Sequence, residues 1–466
     1  MGYYAAQTSQ GGNSIAVGVQ AAETTQGANS VAVGYQAGKT TQGTQSVAMG
    51  YLAGNDNQAQ TAVAVGNQAG QTTQGGNATA VGNLAGQITQ GAQSVAMGYL
   101  VGQTSQGSYS VAMGSSAGND TQGTNSVAIG RAAGETTQGA QAVAVGYFAG
   151  SNTQGDNAVA IGRTAGQTNQ GQEAVAMGYL AGNSAQGVNS VAAGMRAGEI
   201  TQGNYSVASG YYAGNDTQGE SSVALGRQAG QIAQGTNAVA VGRFAGNDTQ
   251  GNDSVAVGRF SGQTTQGSGS VAIGRNAGTT TQANFAVAVG QHAGNDTQGE
   301  NSVAIGRSAG HTSQGANGII INATGVALDD TTAGHIHIAS SLASLDYNGT
   351  EWALTGGDLN VDNLSMNGSS STLATVTQTV IATFPLADYE GGKFIITAKD
   401  GVERHICEIL VTHNGTTAVA TQYAEMVTST DLATYDVDIS GTDVRLLATS
   451  ASVNSTVYKV VKTLLA

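Results

Sequence analysis

Residues 30–45 read Ser-Val-Ala-Val-Gly-Tyr-Gln-Ala-Gly-Lys-Thr-Thr-Gln-Gly-Thr-Gln, and at Ser46 the same phrase begins again. It returns every sixteen residues without insertion or deletion: the pattern x-Ala-x-Gly occurs nineteen times from Ala16/Gly18 to Ala304/Gly306, preceded by a partial copy around Gly2. A period this strict is the mark of stacked, near-identical structural units, so it decides the fold before any single residue does.

Each unit opens with strand character. Along Ser30-Val31-Ala32-Val33 the side chains alternate, which puts Val31 and Val33 on one face and Ser30 and Ala32 on the other. The second Val slot also takes Met, Ile and Leu, as expected of a narrow apolar core. The central Ala, as in Ala32 and Ala48, never changes across the nineteen copies, and is expected to mark a face approached too closely for a larger group. Gly34, Gly50 and the later Ala37-Gly38 pair punctuate the unit as corners. A Gln recurs twenty times, from Gln10 to Gln314; Gln42, Gln74 and Gln122 are expected to form an amide ladder, each bonded to the rungs above and below. Two short strands and two glycine corners describe a flattened parallel coil rising ~4.8 Å per turn. A single chain would leave its Ala-lined face uncovered, and three copies around one axis would bury it.

The residue after the first Gly is often Tyr in early copies (Tyr35, Tyr51, Tyr99) and Arg in later ones, with Arg227, Arg243, Arg259 and Arg275 on consecutive turns. Such a line is expected to face water or to meet Asp216, Glu220 or Asp248, and could present a surface to acidic glycans or a neighbouring protein. Asn-Asp pairs such as Asn215-Asp216 and Asn247-Asp248 supply one carboxylate per copy, too little for calcium, and read as Asx turns.

The composition narrows the function. The 466 residues contain 71 Gly but only 9% charged residues, and the net charge is −14. Nine Lys/Arg stand against thirteen Asp/Glu up to Asn317, and six against sixteen beyond it. Without clustered basic residues a nucleic-acid partner is not expected. The lone Cys407 rules out an internal disulfide and reads as a buried strand residue. No apolar run reaches the ~18 residues of a membrane helix, so no membrane insertion is expected. Met1-Gly2-Tyr3 leads into the repeat without a secretory pattern, which points to synthesis in a cytoplasm.

At Gly318 the repeat phrase gives way to Gly-Ile-Ile-Ile-Asn, and Ile319, Ile320 and Ile321 are expected to plug and close the coil. Residues 318–371 read as a connector of Gly/Asn/Asp-punctuated β segments, including Gly357-Asp358-Leu359-Asn360-Val361-Asp362-Asn363-Leu364. Within it, His335-Ile336-His337 would place two imidazoles on one strand face. Three parallel chains would converge six nitrogens, a set suited to an octahedral first-row metal such as iron. Residues 372–466 alternate in seven short strands, with turns at Asp400-Gly401, Asn414-Gly415 and Ser440-Gly441, and predict an antiparallel β-sandwich.

The Ser-Val-Ala-Ile/Val-Gly phrase with its Gly corner resembles the head repeat of YadA-type trimeric adhesins, over residues 1–317. The resemblance implies a trimeric, left-handed parallel β-roll, although the unit here is sixteen residues and that family's is usually fourteen. His-x-His resembles metal sites of T-even-type long tail fibres over three residues, and the last segment looks similar to C-terminal modules of virion structural proteins from marine cyanobacterial phages. Together these lead to an all-β expectation: a β-roll shaft (1–317), a capping connector (318–371) and a β-sandwich (372–466), in a homotrimeric phage fibre assembled in the host cytoplasm. Its expected partners are other virion proteins and a host-surface glycan or protein. No cofactor is expected beyond a metal at His335/His337. No enzyme is expected, since the acidic residues are sparse and not repeated as the carboxylate pairs of glycan hydrolysis. A bacterial adhesin head and a glycan depolymerase tailspike are the alternatives.

Overall fold

The computed structural model describes residues 2–341, 343–347, 352–355, 359–361, 364–373 and 376–465. Every regular element among them is a β-strand. The chain divides into two compact units, Met1–Ser341 with Tyr347–Glu351, and Leu342–Asp346 with Trp352–Ala466.

The first unit is a parallel β-solenoid of about 21 turns, which at ~4.8 Å per turn is roughly 100 Å long. A typical turn contributes two strands, Thr41–Gln42 and Val47–Met49 being one such pair, with Gln170 reduced to an isolated bridge. They stack in register on the same strands of the next turn, Gln42 on Gln58 and Ala48 on Ala64. Gly34 has φ +136°, and a Cβ there would lie 2.2 Å from the carbonyl oxygen of Gly50, itself in the same conformation. Gly is therefore required twice over, by dihedral and by the closeness of the next turn. Two other corners per turn are left-handed without Gly, as at Gln36 (φ 55°) and Gln45 (φ 58°). Each costs about 1 kcal/mol or more. The cost is offset by inter-turn bonds: Gln36 N donates to Val19 O and Gln45 N to Ala28 O, both at 2.9 Å.

The structure reverses the two faces expected from the alternation. Ala32 and Ala48 lie inside the coil with no exposure, against Ala37 and Ala53, whereas Val31 and Val33 point outward half-buried and Met49 is 41% exposed. The reason is the width of the slot. A Cβ on Gly54, on the opposite wall, would already sit 3.3 Å from the Ala48 methyl and 2.9 Å from Gln58 Oε1. At the Ala48 position the inner side has room for a methyl group, so the bulky alternates of this strand lie outside. The constant Ala answers to the chain's own far wall, and the uncovered face is the one bearing Val, Met and Ile.

The Gln side chains lie in this slot. Gln42, Gln74 and Gln122 each donate Nε2 across the interior to a backbone carbonyl on the facing strand, Val31 O (2.8 Å), Val63 O (2.7 Å) and Val111 O (2.9 Å). Rung-to-rung bonds add to this at Gln42 to Gln58 (3.3 Å) and Gln74 to Gln90 (3.1 Å). At Gln122 the buried Oε1 has no partner. The constant bond is thus the one across the coil, and the ladder runs only where the amides tilt into line.

Ile319, Ile320 and Ile321 do not close the roll. They pair in parallel with Val303, Ala304 and Ile305 on one side and with Ile336, His337 and Ile338 on the other. Ile320 takes the Ala position, 1% exposed, with Leu328 packed beside it. The strand pairing of the facing wall shifts register at this turn, between Ala309 and Gln314. The parallel stack therefore passes residue 317 and reaches Ala339.

The second unit holds two antiparallel sheets. One contains the strands Leu364–Leu373, Thr456–Leu465, Gly391–Asp400, Glu403–His413 and Ala418–Val427 in that order, with Leu359–Val361 at its margin; the other orders Thr379–Pro385, Asp443–Ser450 and Ala433–Ser440. All seven strands expected after residue 372 are present. Phe384, Phe394, Ile396, Ile409, Leu446 and Tyr458 from both sheets share one core. Leu364–Leu373, which reads as connector, is a ten-residue strand paired along its length with Thr456–Leu465. Its Ser/Gly/Asn-rich sequence has weak strand preference, and the neighbour's ladder supplies what propensity does not. Of the punctuated segment before it, Gly357, Asp358, Asp362 and Asn363 lie outside the described residues.

Candidate functional site

The solenoid presents two long columns that serve no internal purpose. The first is the outward face of the Val-Ala-Val strands. Met49, Met97, Ile129, Ile161, Met177 and Ile305 are 38–45% exposed along it, one per turn at intervals of sixteen. Monomeric proteins rarely expose more than about a few hundred Å² of contiguous apolar surface. The strip recurs from turn to turn along the solenoid, with Ala193 and Ser209 as its small members.

The second column follows the Gly34-type corner. Here Arg and aromatic residues from successive turns stack on one another. Tyr147 is flanked by Arg131 and Arg163, 5.5 and 5.8 Å from its ring centroid, and Arg163 in turn lies 5.4 Å from Tyr179. Farther along, Arg227 (5.8 Å) and Arg243 (5.1 Å) lie near the Phe244 ring, and Arg243 (5.9 Å) and Arg259 (4.6 Å) near the Phe260 ring. The two Phe rings stack at 5.2 Å and 17°. Asp216, Glu220 and Asp248 make no ion pair with this line; among the described residues of the roll the ion pairs are Lys39–Glu23, Arg196–Glu199 and His335–Asp330. Like charges on adjacent turns are tolerated because they face water and because ring quadrupoles, not carboxylates, hold them in place. The Asn residues of the Asn-Asp pairs mostly reach back to the preceding turn: Asn215 Nδ2 donates to Arg196 O at 2.9 Å and Asn247 Nδ2 to Gln228 O at 3.0 Å. They tie turns together in place of the expected local turn.

His335 and His337 are not on the outward face. His337 is in register with Ile320, in the Ala column, while Ile336 and Ile338 continue the outward column of Ile319 and Ile321. His335 Nδ1 lies 2.9 Å from Asp330 Oδ2. The register thus turns the pair away from the face that other copies would meet, because the ring-bearing positions share the parity of the buried Ala.

In the second unit His405, Glu425 and Asp431 bring their polar atoms within 4.8 Å of one another, a cluster the sequence reading missed because a strand bulge and a turn bring it together. His405 is fully buried, and its Nδ1 accepts the Leu432 backbone N–H at 3.2 Å. The ring proton is therefore on Nε2, which lies 2.7 Å from Glu425 Oε1 but off hydrogen-bond alignment. A protonated Nε2 offers no lone pair to a metal. Cys407, on the same strand, is buried as expected, and burial pushes its thiol up to about 11, so it is protonated at neutral pH. Burial also raises the Tyr435 hydroxyl. The arrangement serves packing better than nucleophilic chemistry. On the opposite, outer side of this sheet, Ile395, Leu410, Val461 and Leu465 are exposed.

The YadA head domain repeat family matches residues 9–37, 26–53, 122–149, 138–165, 218–245 and 266–293, all within the solenoid. No curated protein matches the chain. Among solved structures, the tailspike protein of Acinetobacter phage vB_ApiP_P1 is similar at 10% identity, with 97% of this chain and 80% of that one covered and a TM-score of 0.21. A tailspike protein of Acinetobacter baumannii bacteriophage Fri1, described as a capsular polysaccharide depolymerase, is similar at 10% identity, with 97% and 69% covered and a TM-score of 0.18.

Proposed function

We propose that the chain is a fibre protein of a bacteriophage virion: three copies pack their solenoids along the Val/Met/Ile face into a stiff shaft, and the second unit serves adhesion to a host-surface glycan or protein or attachment to other virion proteins. The observation that carries this reading is the outward apolar column, in which Ser209 and Thr79 are the polar exceptions. A C3 arrangement lets each copy cover that column with the same column of its two neighbours. Burying it is worth about 25 cal/mol per Å² of apolar surface before the entropic cost of association. Three terminal units on one shaft would also bind by avidity, so that weak individual sites suffice. Assembly in the host cytoplasm and location in the particle belong to the same reading.

The match of the solenoid to the YadA head repeat favours a second reading, an adhesin head on a bacterial surface. Immunogold labelling with an antibody against the second unit separates the two. Label on purified phage particles is the expected result; label on bacterial envelopes with none on particles would favour the adhesin. The protein is assigned no catalytic role, and a halo around spots of purified protein on capsulated cells would overturn that assignment in favour of a depolymerase. A three-chain metal at His335 and His337 would require the His337 ring to leave the inner column. Iron retained by the purified protein, and lost in His337→Ala, would establish it.

A further inference from the structure

We infer that the arginine edge of the solenoid is a binding track for a linear anionic polysaccharide, one bearing carboxylates or sulfates along its length. The inference goes beyond the fibre reading and does not need it, since a single solenoid offers the same edge.

The exposed guanidiniums of Arg227, Arg243 and Arg259 fall on consecutive turns, a spacing of ~4.8 Å. Phe244 and Phe260 lie within 4.6–5.9 Å of them. A guanidinium held beside a ring still has N–H donors for a ligand, and its fork matches a carboxylate or sulfate in two-point contact. No carboxylate of the described roll occupies these forks. Fixing the forks in advance lowers the entropy lost when a ligand binds.

The packing of rings and guanidiniums also selects among anionic polymers. Single-stranded nucleic acid binds by stacking its bases on free aromatic faces. Here each of Tyr147, Phe244 and Phe260 has two guanidiniums within 5.9 Å, and the stacked Phe pair, 5.2 Å apart, leaves no interval for a base. A polysaccharide has no base to stack.

The test uses the full chain with polygalacturonate and chondroitin sulfate as probes, neutral dextran as control, and single-stranded DNA as competitor, followed by fluorescence anisotropy or calorimetry. Expected is binding of both acidic polysaccharides, none of dextran, and an affinity that falls at least about tenfold between 50 and 200 mM salt, as for a handful of released counterions. The triple variant Arg227→Gln, Arg243→Gln, Arg259→Gln should lose at least about tenfold in affinity with unchanged circular dichroism and sedimentation. Should that variant not fold, the wild-type salt series and the competition still decide the matter. Equal binding by wild type and a folded variant, an absence of salt dependence, DNA bound as tightly as the polysaccharides, or a changed oligomeric state in the variant would each overturn the inference. The last would mark the edge as a subunit contact.

Discussion

The solenoid and the C-terminal unit are both built only of strands, yet they place their large side chains on opposite sides. In the second unit Phe384, Phe394, Ile396 and Tyr458 are enclosed between two sheets. In the solenoid the enclosed residues are chiefly Ala, Ser and Gln, with Val101 and Ile320 as larger exceptions, and most Val, Met and Ile are turned out. A domain of the first kind is stabilised by its own core. A stack of the second kind gains little from apolar burial per turn, relies on inter-turn backbone bonds and shared geometry, and has its apolar surface left over for something else. The contrast separates a part that encloses its large apolar side chains from one that turns most of them outward.

The largest effect should come from breaking the conventional core. Phe394→Ala removes a ring 1% exposed and should destabilise the second unit by about 3–5 kcal/mol. In scanning calorimetry only the transition of that unit should move; a shift of both transitions would show that the units do not melt separately. In the solenoid the sensitive change is the reverse, from small to large. Ala144 has no exposure, and Ala144→Leu should cost about 1–3 kcal/mol through overpacking. Hydrogen exchange should speed up in the turns on either side of it while the second unit keeps its protection. If Leu is accommodated without loss, the slot is wider than its methyl lining implies.

A smaller effect separates the units by acid. The Ser429 and Thr428 hydroxyls hold the Glu403 carboxyl below its usual range, Tyr423 and then Lys393 do so for Glu408, and the Arg445 guanidinium does so for Asp438. Depressed carboxylates contribute stability that is present above their unfolded pKa, around 4, and is lost as pH falls through the lower folded value. The melting temperature of the second unit should therefore fall between about pH 5 and pH 3. Because these groups are exposed, the change should be modest and smaller still in high salt. Glu408→Gln should flatten part of it.

Much of this was legible beforehand, because a sixteen-residue period with Gly at fixed corners permits few structures. Strand positions in both units, the buried Cys407 and the glycine turns follow from local pattern. Which face of the repeat strand lies inward was not legible. Alternation divides Val31 from Ala32 but does not say how far away the opposite wall stands, and it is the nearness of Gly54 and Gln58 that assigns the methyl to the interior. The same distance information was missing at Ile320, where a bulky side chain enters the column at the turn with the register shift. Leu364–Leu373 was hidden because its strand is made by a partner ninety residues away in sequence, not by its own composition. The arginine–ring stacking could have been found by comparing residues sixteen apart, Arg131, Tyr147 and Arg163, instead of residues adjacent in sequence.

Sedimentation equilibrium of the intact chain, alongside a variant carrying Val143→Asp and Val159→Asp on the outward face, tests the small-in, large-out arrangement and its consequence most directly. Wild type should sediment at three times the 46.2 kDa chain mass, and the variant at the mass of one folded chain, since both carboxylates would face water in a lone solenoid. A folded wild-type monomer, or a variant that unfolds instead of dissociating, would contradict it.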